Sequence, residues 1–272
     1  MNFKKIGLTL LVGMGALSLI ACGNTNEDVS EKPSEKKSIT VFAAASMTDV
    51  MEELKEIYIK DQPGIDILYN FDSSGTLKTQ IEEGAEVDIF ISAAQKQMNE
   101  LDKGHEAYNN KVSIDPSSRF DLLENKVTLV VSGENPNGLS DFKDLASDKV
   151  ESLALGNEDV PVGQYSLEIL NNLGIYEKVM PKVSLGSNVR EVATWVNEGA
   201  VDAGIIYATD AKIFGLEVVD QAGEEELDTR VIYPAARLEN SPNKDEADKF
   251  LEFLKTKKAS EIFEKYGFSP IK

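Results

Sequence analysis

Residues that cross-link chains or hold soft metals are nearly absent. The 272-residue chain has one cysteine, Cys22, and one histidine, His105. An intramolecular disulfide is therefore excluded, and there is no Cys/His cluster of the kind that holds zinc. His105 sits in the polar stretch Asp102-Lys103-Gly104-His105-Glu106, which reads as a surface loop. A serine hydrolase is left without an evident base. Neither Ser46 nor Ser74 has a lysine three residues on, and no EF-hand or phosphate-binding glycine loop is present. No enzyme is expected from this inventory. Positive charge is also scarce: 28 Lys+Arg stand against 47 Asp+Glu, a net −19. That balance argues against nucleic acid, whose phosphates need basic patches to replace their counterions. It also sets a condition on any anion site. Local donors must outweigh a repulsive long-range field, which weakens beyond the Debye length.

The N-terminus reads as a processed leader. Lys4 and Lys5 precede an apolar run, Ile6 to Ile20, too short to span a membrane comfortably. The run ends at Leu19-Ile20-Ala21-Cys22, which resembles the lipobox of bacterial lipoproteins. The expectation is a signal peptide at 1–21, acylation of Cys22, and a lipid-anchored protein on the extracellular face of the membrane. Residues 22–37 are rich in Asn, Glu, Ser, Lys and Pro and read as a flexible tether. Such a chain reaches on the order of 20 Å.

Beyond the tether, strand and helix patterns alternate. Ile39–Ala43 reads as a strand, and Met47, Val50, Met51, Leu54, Ile57 and Tyr58 share one helical face. A strand at Ile65–Phe71, a helix through Leu77 and Ile81, a strand at Val87–Ile91 and a polar helix at Gln95–Leu101 follow. A second series runs through a strand at 126–132, a strand at Leu153–Leu155, helices at Val162–Leu173 and Val189–Glu198, and a strand at Asp202–Ile206. A strand at Val231–Arg237 and helices at Lys244–Leu254 and Ala259–Tyr266 close the chain. Alternation of this kind specifies an α/β fold with mostly parallel sheets. Two series of similar size predict two lobes, with ligand chemistry beyond the carboxyl ends of the strands.

Five turns lie where that chemistry belongs. Phe42-Ala43-Ala44-Ala45-Ser46 and Phe71-Asp72-Ser73-Ser74-Gly75-Thr76-Leu77 each run from strand to helix through serines and small residues. Ser46 and Ser74 can each offer a hydroxyl and a backbone N–H at a helix N-terminus, where the dipole favours an anion. Val160-Pro161-Val162-Gly163 places proline at the first helical position and leaves the Val162 N–H as a donor. In Gly186-Ser187-Asn188-Val189-Arg190, Ser187 or Asn188 caps a helix and the Val189 N–H points outward. Tyr207 ends an apolar strand and offers a neutral hydroxyl. Taken singly, each turn is equally an ordinary cap or core edge.

Together, and in this order, these motifs resemble the molybdate-binding proteins of ABC transporters. Phe-Ala-Ala-Ala-Ser, the Ser-Ser-x-Thr-Leu turn, Asp88-Ile89-Phe90-Ile91-Ser92-Ala93, Val-Pro-x-Gly and Phe263-Glu264-Lys265-Tyr266-Gly267-Phe268 all fit that pattern across 38–272. The resemblance implies a two-lobed class II periplasmic-binding-protein fold, each lobe a sheet flanked by helices. Two hinge crossovers are implied near 122–128 and 229–234. Lobe I would comprise 38–123 plus 232–272, and lobe II 124–231. It implies an oxyanion, molybdate or tungstate, held by Ser46, Ser74, Val162, Val189 and Tyr207, with sulfate or phosphate as the alternative ligand. No cofactor is implied, and molybdenum or tungsten enters only within the oxyanion. The implied partners are an ABC permease and the membrane, for a monomeric protein. Asp72 departs from the pattern: a carboxylate turned into the cleft would disfavour a dianion.

Overall fold

The computed structural model describes residues 37–271 apart from positions 110 and 134. The expected signal peptide, Cys22 and the tether up to residue 36 lie outside the described residues. Lys37, counted with the tether on composition, is instead the first residue of a strand, and its N–H donates to the Gly64 carbonyl at 3.0 Å.

The first α/β series comprises β1 (Lys37–Ala44), α1 (Thr48–Asp61), β2 (Ile65–Asp72), α2 (Ser74–Glu82), β3 (Ile89–Ile91), α3 (Gln95–Glu100) and β4 (Phe120–Glu124). The second runs through β5 (Val127–Val131), β6 (Leu153–Gly156), α4 (Pro161–Asn172), α5 (Tyr176–Val179), β7 (Val183–Gly186), α6 (Val189–Asn197), β8 (Ala203–Tyr207), α7 (Ala208–Phe214) and β9 (Glu217–Gln221). β10 (Ile232–Arg237), α8 (Lys244–Leu254), α9 (Lys257–Tyr266) and β11 (Ser269–Pro270) end the chain.

These strands form two sheets. One has six strands in the order β11-β4-β10-β3-β1-β2, the other five in the order β7-β6-β8-β5-β9. β1 pairs in parallel with both β2 and β3, while β10 enters antiparallel between β3 and β4. In the second sheet β6 is parallel to β7 and β8, and β5 is antiparallel to β8 and β9. The chain crosses between sheets through Asn125 and Lys126 and returns through 222–231.

The period of two along a strand explains how the first sheet is covered. Ile39, Val41 and Ala43 face the main core, whereas Phe42 faces a second cluster with Leu77, Ile81 and Phe90. β3 repeats this, with Ile89 and Ile91 on one face and Phe90 on the other. A sheet buried on both faces reads as a continuous apolar run, and its polar groups are left to the strand ends. Ser46, Ser74 and Tyr207 stand at such ends, after β1 and β2 and at the last residue of β8.

Candidate functional site

Capping and donation are separated at three of the turns. Ser46 lies in a short 3-10 turn after β1 that has no side-chain cap. Its Oγ is 2.9 Å from the Tyr233 hydroxyl. In the next turn Ser73 caps α2, its Oγ accepting from the Thr76 N–H at 3.1 Å. Ser74, the first residue of the helix, is thereby released from capping, and its Oγ accepts the Ala93 N–H at 2.9 Å. Asn188 caps α6 by accepting the Glu191 N–H at 3.1 Å. The Glu191 carboxylate accepts the Ser187 N–H at 2.7 Å and the Ser187 hydroxyl at 2.8 Å, tying down the residue before the cap. Val189 is then the first residue of α6 and Val162 the second of α4, where backbone N–H groups have no partner within the helix.

Ser46, Ser74, Val189 and Tyr207 line one small cavity whose free volume is about 10 Å³, room for about one water. Ala44, Ala45, Asp72, Ser73 and Ala93 complete the wall on the six-stranded side, and Val160 and Pro161 on the other. Val162 follows Pro161 one residue into α4 and is not among the lining residues; its expected contribution is a backbone N–H. No lysine, arginine or histidine lines the cavity.

The two sides meet around this cavity. The Gly75 N–H donates to the Asp159 carbonyl at 3.0 Å, a bond between α2 and the turn before α4. A Cβ on Gly75 would stand 2.4 Å from that oxygen, so glycine here admits the opposite lobe. Gly163 has a purely architectural reason: a Cβ there would lie 2.3 Å from the Gly156 carbonyl, where α4 packs on the end of β6. Asp72 turns one oxygen to its own turn, accepting the Ser73 N–H at 2.8 Å, and the same oxygen accepts Asn188 Nδ2 from the opposite lobe at 3.3 Å.

Arg190 makes a further bridge. Its guanidinium reaches Asp49 on α1 at 2.5 Å and Asp210 on α7 at 2.8 Å, and it lies over the Phe214 ring. The approach to Asp210 is an ion pair without hydrogen-bond alignment, so Arg190 Nε and both Asp210 oxygens lack a hydrogen-bond partner. Burial pushes the Asp210 carboxyl up to about 7; Arg190 opposes this and Asp49 adds to it.

Sequence reasoning missed the layer behind the cavity. Asn125, in the first crossover, donates from Nδ2 to the Tyr233 hydroxyl at 3.1 Å and to Thr209 Oγ1 at 2.9 Å. Burial raises both the Tyr207 and Tyr233 phenols, which therefore remain neutral donors. Tyr233 is near enough to Tyr207 to raise it further, yet the two hydroxyls do not close a hydrogen bond of normal geometry. The Tyr207 hydroxyl is left buried with no partner. A buried hydroxyl without a partner costs roughly 1–3 kcal/mol, and this one belongs to a residue lining the cavity.

The sequence pattern of the bacterial extracellular solute-binding protein family matches residues 39–269. Over 98% of its length the chain is 36% identical to a putative ABC transporter substrate-binding lipoprotein, YvgL, of Bacillus subtilis, covering 99% of that protein. It is 35% identical to the molybdate-binding protein ModA of Escherichia coli, across 96% of this chain and 97% of that one. Among solved structures, the substrate-binding domain of a putative molybdenum ABC transporter from Clostridium difficile is 34% identical. It superposes with a TM-score of 0.65, covering 86% of this chain and 99% of the other.

Proposed function

The chain belongs to the bacterial extracellular solute-binding proteins, and from that premise we propose that its cavity captures molybdate or tungstate for delivery to an ABC importer. It is a binding protein, not an enzyme. The observation that carries the ligand class is the buried, partnerless Tyr207 hydroxyl, set in a small cavity with two serine hydroxyls and no cationic side chain. Neutral donors that converge on an enclosed space suit a dianion with several equivalent acceptor oxygens. The relatives named as molybdate-binding support the same ligand.

In this mechanism the anion first meets Ser46 and Ser74. The Val162 and Val189 N–H groups and the Tyr207 hydroxyl then close from the other lobe. Hydrogen bonds to charged groups contribute about 1.5–3 kcal/mol each, against a large desolvation penalty. Preorganised amide and hydroxyl dipoles supply the field, so a lysine or arginine in the cavity is not required. Lobe closure, held by the Gly75–Asp159 bond and the Arg190–Asp49 pair, is the signal offered to the permease.

Calorimetric titration with sodium molybdate tests the site. Ser46→Ala and Ser74→Ala should each weaken binding roughly 10-fold or more; each also strips a partner from a buried donor, the Tyr233 hydroxyl or the Ala93 N–H, so the unliganded protein should lose roughly 1–3 kcal/mol of stability and still fold. Wild-type affinity in both variants would remove the serines from the site. The anchor on Cys22 is proposed from Leu19-Ile20-Ala21-Cys22 and from the relative described as a lipoprotein. Cys22→Ala should move the protein out of the membrane pellet, and retention after a salt wash would place the anchor elsewhere.

A further inference from the structure

The layer behind the cavity has a direction. Lys126 N–H donates to Asn125 Oδ1 at 2.8 Å, which fixes the carbonyl end of that amide. Its Nδ2, a donor only, therefore faces outward to Tyr233 and Thr209. The Tyr233 oxygen accepts from Asn125, and its single proton has one geometrically suitable acceptor, Ser46 Oγ at 2.9 Å. When Tyr233 donates to Ser46, the Ser46 proton has only the cavity to go to. Asn125, Tyr233 and Ser46 thus form a one-way chain of donors that ends at the ligand. All three side chains are buried, so no solvent corrects a mismatch. Ser74 is biased in the same way, because the Ala93 N–H occupies its oxygen from behind.

We propose that Asn125 and Tyr233 are specificity-determining positioning residues: they hold the Ser46 hydroxyl as a donor, so that the site accepts bare oxyanion oxygens and rejects protonated ones. This rests on the reading of the cavity as an oxyanion site. A protonated oxygen facing Ser46 must donate to it. The Ser46 proton then turns back to Tyr233, and the Tyr233 proton is left between the donor end of Asn125 and the nearby Tyr207 hydroxyl, with which it closes no hydrogen bond of normal geometry. The chain cannot reverse without one buried hydroxyl losing its acceptor.

Asn125→Asp reverses the chain at nearly constant shape. A carboxylate at this position accepts from Lys126 N–H, Thr209 and Tyr233 together. Tyr233 then donates backward, Ser46 donates to Tyr233, and the Ser46 lone pair faces the ligand. The readout is the ratio of sulfate to phosphate affinity at about pH 8.5, where inorganic phosphate is mostly the dianion. Both anions then carry the same charge, and phosphate alone carries a proton. Displacement of molybdate measures each. The reversed variant should shift this ratio toward phosphate by about 10-fold or more. If both anions weaken by one common factor, the added charge acts only through its field and the relay is overturned. Tyr233→Phe, which deletes one hydroxyl without adding charge, should weaken sulfate and molybdate more than phosphate; an unchanged ratio there overturns the relay as well. Wild-type protein that binds none of the three anions would instead sink the oxyanion reading itself.

Discussion

Gly75→Ala should separate binding from folding. The new Cβ would lie 2.4 Å from the Asp159 oxygen and 2.9 Å from its Cα and Cβ, against an ordinary contact of 3.4 Å or more. The lobes must therefore part by about 1 Å at this point. The Gly75–Asp159 bond, 3.0 Å long, would stretch to about 4 Å and be lost. Donors from the five-stranded side, among them the Val189 N–H and the Tyr207 hydroxyl, would draw back from the ligand by a similar distance. Two charge-assisted bonds at about 1.5–3 kcal/mol each correspond to a loss of roughly two to four orders of magnitude in affinity. Stability should move the other way. Gly75 lies in the first turn of α2 and has no positive φ, so alanine is tolerated there and raises helix propensity by up to about 1 kcal/mol. Titration calorimetry with molybdate, beside melting of the ligand-free protein, reads both quantities. A Gly75→Ala protein that binds molybdate with wild-type affinity would refute the argument that closure at this contact completes the site.

Two further changes probe buried polar groups. Tyr207→Phe removes a hydroxyl that has no protein partner, so molybdate affinity should fall by about 10–100-fold while the melting temperature of the free protein holds or rises; a fall in that temperature would mean the hydroxyl is structural. Asp210 is raised to about 7 in the folded protein, so between its ordinary range near pH 4 and pH 7 the folded state holds a proton that the unfolded state has lost. Its ionisation therefore lowers stability as pH rises through that window. Asp210→Asn lacks this loss, and its stability relative to wild type should climb from about pH 4 to pH 7 and then level off; a gap independent of pH would show that Asp210 does not titrate there.

The parts of the fold that were legible in the sequence are those where burial and periodicity coincide. β1 and β3 carry buried apolar residues on both faces, β2 keeps Ile65, Ile67, Tyr69 and Phe71 on one face, and α1 and α9 carry clear amphipathic stripes. The elements left unread include the edge strands β7 and β9, the short helices α5 and α7, and β4. β9 is largely exposed and carries Glu217, Asp220 and Gln221, so it shows no apolar run. β7 directs Leu185 outward at the sheet edge and has little apolar pattern. Such strands are specified by their neighbours and not by their own composition. That the serine turns, Val189 and Tyr207 gather around one cavity was legible because strand-end to helix-start is a position with a physical meaning. The Asn125–Tyr233 layer was not, because Tyr233 in an apolar strand reads as core. The available signal was Asn125-Lys126, a polar pair interrupting two apolar strands at the crossover.

Competition calorimetry at about pH 7 with molybdate, tungstate, sulfate and phosphate tests the central claim most directly. Sulfate matches molybdate in charge and acceptor pattern but is smaller, so a cage sized for the larger anion leaves some of its bonds long and weak. Phosphate near neutral pH carries at least one proton, for which a cage of donors has no acceptor. The predicted order is molybdate and tungstate far above sulfate, and sulfate above phosphate. Phosphate displacing molybdate would contradict the account and would point to the Asp72 carboxylate, at the cavity wall, as the acceptor of its proton.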